Sequence, residues 1–331
     1  MRALSSFVVV LLLVAVAYGM AESNMRFLLG VVIPYAAVAV FIFGMIFRIL
    51  KWGSSPVPFR IPTTCGQQKS LPWIKQSKLE APAGTLGVLG RMALEVFFFR
   101  SLFRNLKTQK HEGNQLAYGE AKWLWLAGLA FHWTFLLILI RHLRFFSQAV
   151  PVPIQMVEGL DSFLQIGAPL LYITDTIFLA AVAGLFIRRI ALPNVSYISL
   201  MGDYFPLFVI FGIGVTGVMM RYFMKTDIVS VKILAMSLVS FSPDATVLKN
   251  LSPVFFTHLF LISVLFLYFP FSKLVHMGGV FMSPTRNLAA NNRWKRHINP
   301  WNYPVHVHTY EEYENDFRAK MKDAGLPVEK E

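Results

Sequence analysis

The stretch Trp123–Phe146, WLWLAGLAFHWTFLLILIRHLRFF, decides the fold. It is long enough to cross a bilayer, which takes about 20 mostly apolar residues in a helix. It also carries two histidines, His132 and His142. Ionisable side chains in lipid are costly, rare and usually partnered. A matching stretch lies further along: Val254–Val275, followed at once by His276, holds His258 near its start. Working outward, four more segments have the same apolar character: Leu4–Met20, Phe27–Leu50, Ser162–Ile187 and Tyr204–Tyr222. Together the six predict an all-α integral membrane protein with about six transmembrane helices.

Composition agrees. Of 331 residues, 55% are apolar and only 15% charged, whereas a soluble chain carries about 25% charged residues. The net charge of +13 could suggest nucleic acid. In so apolar a chain it points instead to cytoplasmic loops and anionic lipid headgroups, and no nucleic-acid partner is expected. Cys65 is the single cysteine. It excludes an intrachain disulfide, a Cys-x-x-Cys-His haem attachment and a cysteine-held iron–sulfur centre. The first segment resembles a signal peptide, with Arg2 before a short apolar core. Ala17 and Ala21 flank bulky residues rather than a small-x-small cleavage site, so a retained helix is expected.

Positive charge sets the orientation, because Lys and Arg concentrate in cytoplasmic loops. From Arg48 to Lys122 there are twelve Lys and Arg against four Asp and Glu. Ser147–Asp161 has no Lys or Arg, only Glu158 and Asp161. Arg188 and Arg189 close the fourth segment, and Lys273, Arg286, Arg293, Lys295 and Arg296 surround the end of the sixth. With six crossings these three basic regions share one side, which places both termini in the cytoplasm. Arg221–Lys249 is mildly basic and fits less well.

Four regions follow. Residues 1–50 form two N-terminal spans. Residues 51–122 form a basic cytoplasmic loop, in which Arg91, Glu95, Arg100 and Arg104 punctuate the apolar run Thr85–Leu106 as in a helix lying on the membrane surface. Residues 123–276 are the histidine-bearing core. Residues 277–331 are a cytoplasmic tail ending in a helix-like run from Tyr310 to Lys322; it is either disordered or docks a partner, and docking is the expectation. No internal repeat is visible.

His111, His297, His306 and His308 lie outside the spans. His132 and His142 are ten residues apart, about 15 Å along a helix at 1.5 Å per residue; His258 and His276 are eighteen apart, about 27 Å and five whole turns. The third and sixth spans run antiparallel, so His142 pairs with His258 in the outer half and His132 with His276 in the inner half. Two imidazoles complete the axial coordination of a b-type haem. Two haems b stacked across the bilayer follow. The spacings do not match, so helices or haems must be mutually tilted. For any one of these histidines, an ordinary interfacial role is the competing reading.

The pattern His132-x9-His142 … His258-x17-His276 resembles the gamma-subunit cytochrome b of respiratory nitrate reductase, in order and spacing, over the last four spans. The extra N-terminal span, the long basic loop and the aromatic tail are more similar to the DsrM cytochrome b of the sulfite-reduction-associated membrane complex. A related haem subunit serves heterodisulfide reductase. The resemblance implies a four- or five-helix core with two haems b and menaquinol or menaquinone chemistry near the outer one. It implies His142 and His258 as ligands of the distal haem and His132 and His276 of the proximal haem. It further implies a cytoplasmic iron–sulfur partner like the catalytic subunit of heterodisulfide reductase, with other complex subunits, in a prokaryotic cytoplasmic (inner) membrane. The metabolic setting it implies is dissimilatory sulfate or sulfite reduction, with a nitrate reductase or heterodisulfide reductase subunit as the alternative.

A quinol releases two protons with its two electrons, so a proton acceptor is needed near the outer haem. Glu158 and Asp161 are available as bases. Arg141 and Arg144 could pair with haem propionates or an anionic quinone. Otherwise the arginines snorkel to headgroups and the acids are merely solvated. Asp175 falls near the middle of the fourth segment, where it relays protons, orients a ligating histidine or simply bridges helices. Gly212, Gly214 and Gly217 allow close helix approach or make room for a haem. Two readings of other kinds remain: an ion or metal transporter lined by the four histidines and Asp175, and a passive anchor with vestigial or absent haems.

Overall fold

A computed structural model describes residues 2–55, 66–104, 107–110, 116–119, 121–295, 304 and 306–330. Cys65, His111 and His297 lie outside the described residues. In chain order the first helices are α1 (Arg2–Glu22), a π-helical turn (Leu28–Val32) leading into α2 (Ile33–Gly53), α3 (Thr85–Phe98) and α4 (Arg100–Arg104). A short antiparallel hairpin follows, β1 (Lys107–Lys110) against β2 (Leu116–Gly119), with Lys107 opposite Gly119. Then come α5 (Lys122–His142), α6 (Val152–Asp161), α7 (Ile173–Ala191), α8 (Pro193–Ile198) and α9 (Met201–Val218) with a π turn at Met219–Phe223. The chain continues through α10 (Ile228–Val239), α11 (Pro253–Tyr268), α12 (His276–Gly279), α13 (Pro284–Asn287) and α14 (Tyr310–Asp323). The protein is thus an all-α integral membrane protein with one small hairpin.

Among the described residues, five helical stretches are long and apolar enough to cross a membrane: Arg2–Glu22, Leu28–Gly53, Lys122–Phe146, Met201–Phe223 and Pro253–Phe271. The fourth expected segment differs. Ser162–Tyr172 is irregular, with Gln165 and Gly167 at positive φ, and α7 begins only at Ile173. α7 has 19 residues, about 28 Å of helix, with Asp175 in its first turn and Arg188 and Arg189 in its last.

Tie points at the helix ends give an up-and-down bundle. Arg2 at the start of α1 donates to the Ser199 carbonyl before α9. Past the end of α1, Arg26 donates to the Leu248 and Lys249 carbonyls before α11. Arg48 near the end of α2 donates to the Pro270 carbonyl after α11. Arg141 at the end of α5 meets Asp175 at the start of α7. Arg189 at the end of α7 reaches Ser199 and Asp203 at the start of α9. α5 and α11 are therefore antiparallel, and one end of the bundle collects His142, Arg141 and Asp175. The other collects Arg2, Arg189, Lys273 and the start of α5.

Lipid tails are as apolar as Leu, so packing rather than the hydrophobic effect must bring such helices together. A cluster of Val10, Phe178, Val182, Val209, Ile210 and Leu265 joins α1, α7, α9 and α11. Small residues set the closest approaches. A Cβ on Gly214 would lie 2.7 Å from Phe178 Cε1 and 2.8 Å from Leu179 Cδ2 of α7, and one on Gly212 would lie 3.2 Å from Leu261 Cδ1 of α11. α11 starts on a Ser252 cap, whose Oγ accepts from the Phe255 amide, with Pro253 in its first turn. It stops near Pro270, where the chain passes into 3-10 turns at Phe269–Phe271 and Lys273–Val275.

The expected surface helix Thr85–Leu106 is interrupted at Phe99, whose φ of 51° is left-handed. Arg91 is buried and donates to the carbonyls of Glu80, Arg286 and Leu288. Ala290 N donates to the Pro82 carbonyl at 2.8 Å. The basic region and the chain after α13 are therefore built together. In the tail, Thr309 and Glu312 form a capping box that starts α14. Amides of Glu329 and Lys330, with Arg318, hold the Glu314 carboxyl below the usual carboxylate range.

Candidate functional site

The four span-associated histidines share one property. In each, Nδ1 is engaged, and Nε2 has no hydrogen bond among the described residues. His132 Nδ1 lies 2.7 Å from the Gly128 carbonyl and His142 Nδ1 2.7 Å from the Ile138 carbonyl, each one helical turn back on α5. His276 Nδ1 lies 2.9 Å from the Lys273 carbonyl. His258 Nδ1 reaches across to α9, 2.9 Å from Thr216 Oγ1. Metal-ligating imidazoles commonly hydrogen-bond through their other nitrogen, which fixes the tautomer and the ring's orientation.

The His132 and His276 rings have centroids 6.1 Å apart and planes at 83°. Metal–imidazole nitrogen distances are about 2 Å and a ring centre lies about 1 Å further out, so two rings on opposite sides of one metal have centroids about 6 Å apart. The donor set and the separation would fit a metal ion held between the two imidazoles. His276 does not sit on the sixth span as the sequence suggested. α11 ends ten residues after His258, and the turns around Pro270 and Ser272 carry His276 to His132. This break removes the mismatch between the ten- and eighteen-residue spacings. His142 and His258 lie within electrostatic reach of each other. A Cβ on Gly217 would touch His258 Cε1 at 3.4 Å, so that glycine makes room for the imidazole.

Aromatic rings line the His132 pair. Phe131 and Phe99 stand edge-on to His132 at 4.8 and 4.9 Å. Trp125 and Trp133 donate their indole N–H to the Phe98 and Phe97 carbonyls. The corner between α3 and α4 is thereby pinned to α5.

At the His142 end the structure gathers a polar network. Arg141 Nη2 is 2.5 Å from Asp175 Oδ1 and 3.1 Å from Thr174 Oγ1, and its Nε is 3.1 Å from Asp161 Oδ2. Asp161 also accepts from the Thr174 amide and hydroxyl, at 2.8 and 2.6 Å. Tyr222 donates to Asp175 Oδ2 at 3.0 Å and accepts from the Tyr172 amide. The guanidinium carbons of Arg141 and Arg221 each lie 3.8 Å from the centre of the Tyr172 ring. Arg144 and Glu158 form a separate pair at 3.0 Å, with the arginine side chain 34% exposed. Asp175 does not fall in the middle of a helix: it lies in the first turn of α7, because the residues before Ile173 are not helical. Its partners are Arg141 and Tyr222. Tyr172, Thr216, Arg221 and Tyr222 were not singled out from the sequence. Each acts on a residue 42 to 50 positions away, and nothing local marks it.

His306, His308 and Glu312 bring ligand atoms within 4.8 Å of one another. All three are exposed, at the N-terminus of α14, where the helix dipole disfavours a cation.

Membrane helices whose imidazoles meet with Nε2 free define a class, the membrane cytochrome b electron-transfer subunits. Comparison with known proteins supports this. The model of the nitrate reductase gamma subunit family matches residues 87–294. An "Hdr-like menaquinol oxidoreductase cytochrome b-like subunit" of Archaeoglobus fulgidus is 44% identical over 277 residues, 82% of each chain. A protein of the same description from Archaeoglobus profundus is 40% identical over 274 residues, 81% of each chain. The chain belongs to the nitrate reductase gamma subunit family.

Proposed function

We propose that this chain is the dihaem subunit of a respiratory membrane complex. His142 and His258 hold an outer haem b, and His132 and His276 an inner one. Electrons pass between menaquinol near the outer haem and a cytoplasmic iron–sulfur subunit resembling heterodisulfide reductase. The observation that carries the reading is the common state of the four imidazoles, with one pair already at the separation an iron requires. The descriptions of the two Archaeoglobus relatives supply the quinol and the Hdr-like partner by similarity. The resemblance to DsrM places the route in dissimilatory sulfate and sulfite metabolism.

In this reading α7 is the sixth crossing, because it returns the chain between α5 and α9. The basic ends then face the cytoplasm with both termini, across a prokaryotic inner membrane.

Bound haem supplies one-electron chemistry at each level. The protein's own residues supply orientation and proton handling. Thr216 and the backbone carbonyls hold each ring by Nδ1, which would leave Nε2 to bind an iron. Arg141 is bound by both Asp161 and Asp175, so neither carboxylate is without a cationic partner. Glu158 is the carboxylate nearer solvent, since its partner Arg144 is 34% exposed. Phe131 and Phe99 pack edge-on against the His132 imidazole.

Purified complex is expected to yield two protohaems per chain with low-spin absorbance. His142→Ala is expected to lose one of them and abolish reduction by a menaquinol analogue. Absence of protohaem from the wild type, or normal quinol reduction in that variant, overturns the reading.

A further inference from the structure

The His142 end contains two buried or half-buried guanidiniums in contact with one tyrosine ring, and their neighbourhoods differ. Arg141 is held by Asp161, Asp175 and Thr174. Both carboxylates of the network converge on it. Arg221 has no carboxylate within ion-pair distance among the described residues. Its Nη2 donates to the Leu170 carbonyl at 2.9 Å, it hydrogen-bonds the Tyr222 side chain, and it lies against the Tyr172 and Tyr222 rings, while its Nε is buried without a hydrogen-bond partner. A guanidinium cannot shed its charge, so a buried Nε–H without a partner is unfavourable.

Its position is specific. Gly217, one turn earlier on α9, faces His258. Arg221 lies on the π turn Met219–Phe223 that continues this helix. π turns are rare and concentrate at functional sites; here the wider turn follows directly from the residues that contact the imidazole. Arg221 therefore stands just beyond His258, toward the end of the bundle that holds the Arg141 network.

We propose that Arg221 is an anion-binding residue of the outer site, donating its unpartnered Nε–H, with a neighbouring N–H of the fork, to a charged oxygen brought by a ligand. This rests on the dihaem reading above and replaces Arg141 and Arg144 in that role, since each already has a carboxylate partner. The oxygen comes either from a propionate of the outer haem or from the quinone ring. The chemistry is the same, a planar donor fork facing an anionic acceptor.

The test uses the whole complex with Arg221→Gln and Arg221→Lys. Two quantities are read: the outer haem's midpoint potential, by optical redox titration, and KM for 2,3-dimethyl-1,4-naphthoquinol. If the oxygen is a propionate, removing the nearby positive charge disfavours the reduced haem. The potential then falls in Arg221→Gln by about a tenfold change in equilibrium, 59 mV for one electron, with KM unchanged and partial recovery in Arg221→Lys. If the oxygen belongs to the quinone, KM rises about tenfold and the potential holds. Should the glutamine variant fail to assemble, Arg221→Lys alone decides, because it keeps the charge but loses the fork and must still shift one readout several-fold. Wild-type values for both, in assembled protein with both haems, overturn the inference. Fewer than two haems in the wild type would instead sink the dihaem reading on which it rests.

Discussion

Among the four imidazoles, three take their Nδ1 contact from a backbone carbonyl of their own helix or turn, which no substitution removes. His258 alone also has a side-chain partner, Thr216 of α9, beside the Ile213 carbonyl. Loss of such outer-shell partners typically lowers metal affinity about 10- to 100-fold. Thr216→Val keeps the shape and removes the hydroxyl, so it is expected to weaken haem retention at the His142–His258 level by that factor. Haem content after extended dilution in detergent measures it. Equal retention in variant and wild type would show that Thr216 does not orient the ring. The histidines themselves were legible in the sequence because polar residues inside apolar runs stand out. Thr216 was not, since a threonine in a membrane helix usually back-bonds to its own helix, as this one also does to Gly212.

Helices were readable where hydrophobic length alone decides them and misread where turn chemistry does. α1, α2, α5 and α9 follow the expected segments closely. The fourth segment was drawn through Gln165, Gly167 and Pro169, whose backbone preferences outweigh the apolar side chains around them. α10 does not stand out in the sequence because a helix of twelve residues is too short to span. The glycines of α9 were visible, but which helix each one meets was not. The structure gives Gly214 to α7, with no space for a methyl group. Gly214→Ala is expected to destabilise by about 1–3 kcal/mol through overpacking. Gly184 of α7, whose Cβ would meet nothing within 4 Å, is the control: Gly184→Ala should be neutral or stabilising by up to about 1 kcal/mol. Melting of the two variants in detergent separates them, and matching temperatures would remove close packing as the reason for Gly214.

At the scale of the molecule, the charge excess of +13 concentrates where α2 ends, where α7 ends and after α11, and the alternation of helices brings these regions to one end. That distribution was readable from the sequence, while the pairing of the basic region with the chain after α13 was not, because Arg91 and the carbonyls it meets lie 195 and 197 positions apart. Cys65, the single cysteine, falls between the end of α2 and the start of α3 and so reports the side on which this end lies. A membrane-impermeant maleimide is expected to label inside-out vesicles and to spare right-side-out ones. The reverse pattern would invert the proposed topology.

The corner at Phe99 carries a final implication. Its ring leans on His132, two tryptophans pin the carbonyls before it, and Arg91 fastens the same helix to the chain leading into the tail. A protein landing on this end would find its footing and the inner imidazole joined through hydrogen bonds and packed rings. The tunnelling gap to its nearest redox centre would then be set largely by the architecture of this chain before the two meet, and would vary little from one encounter to the next.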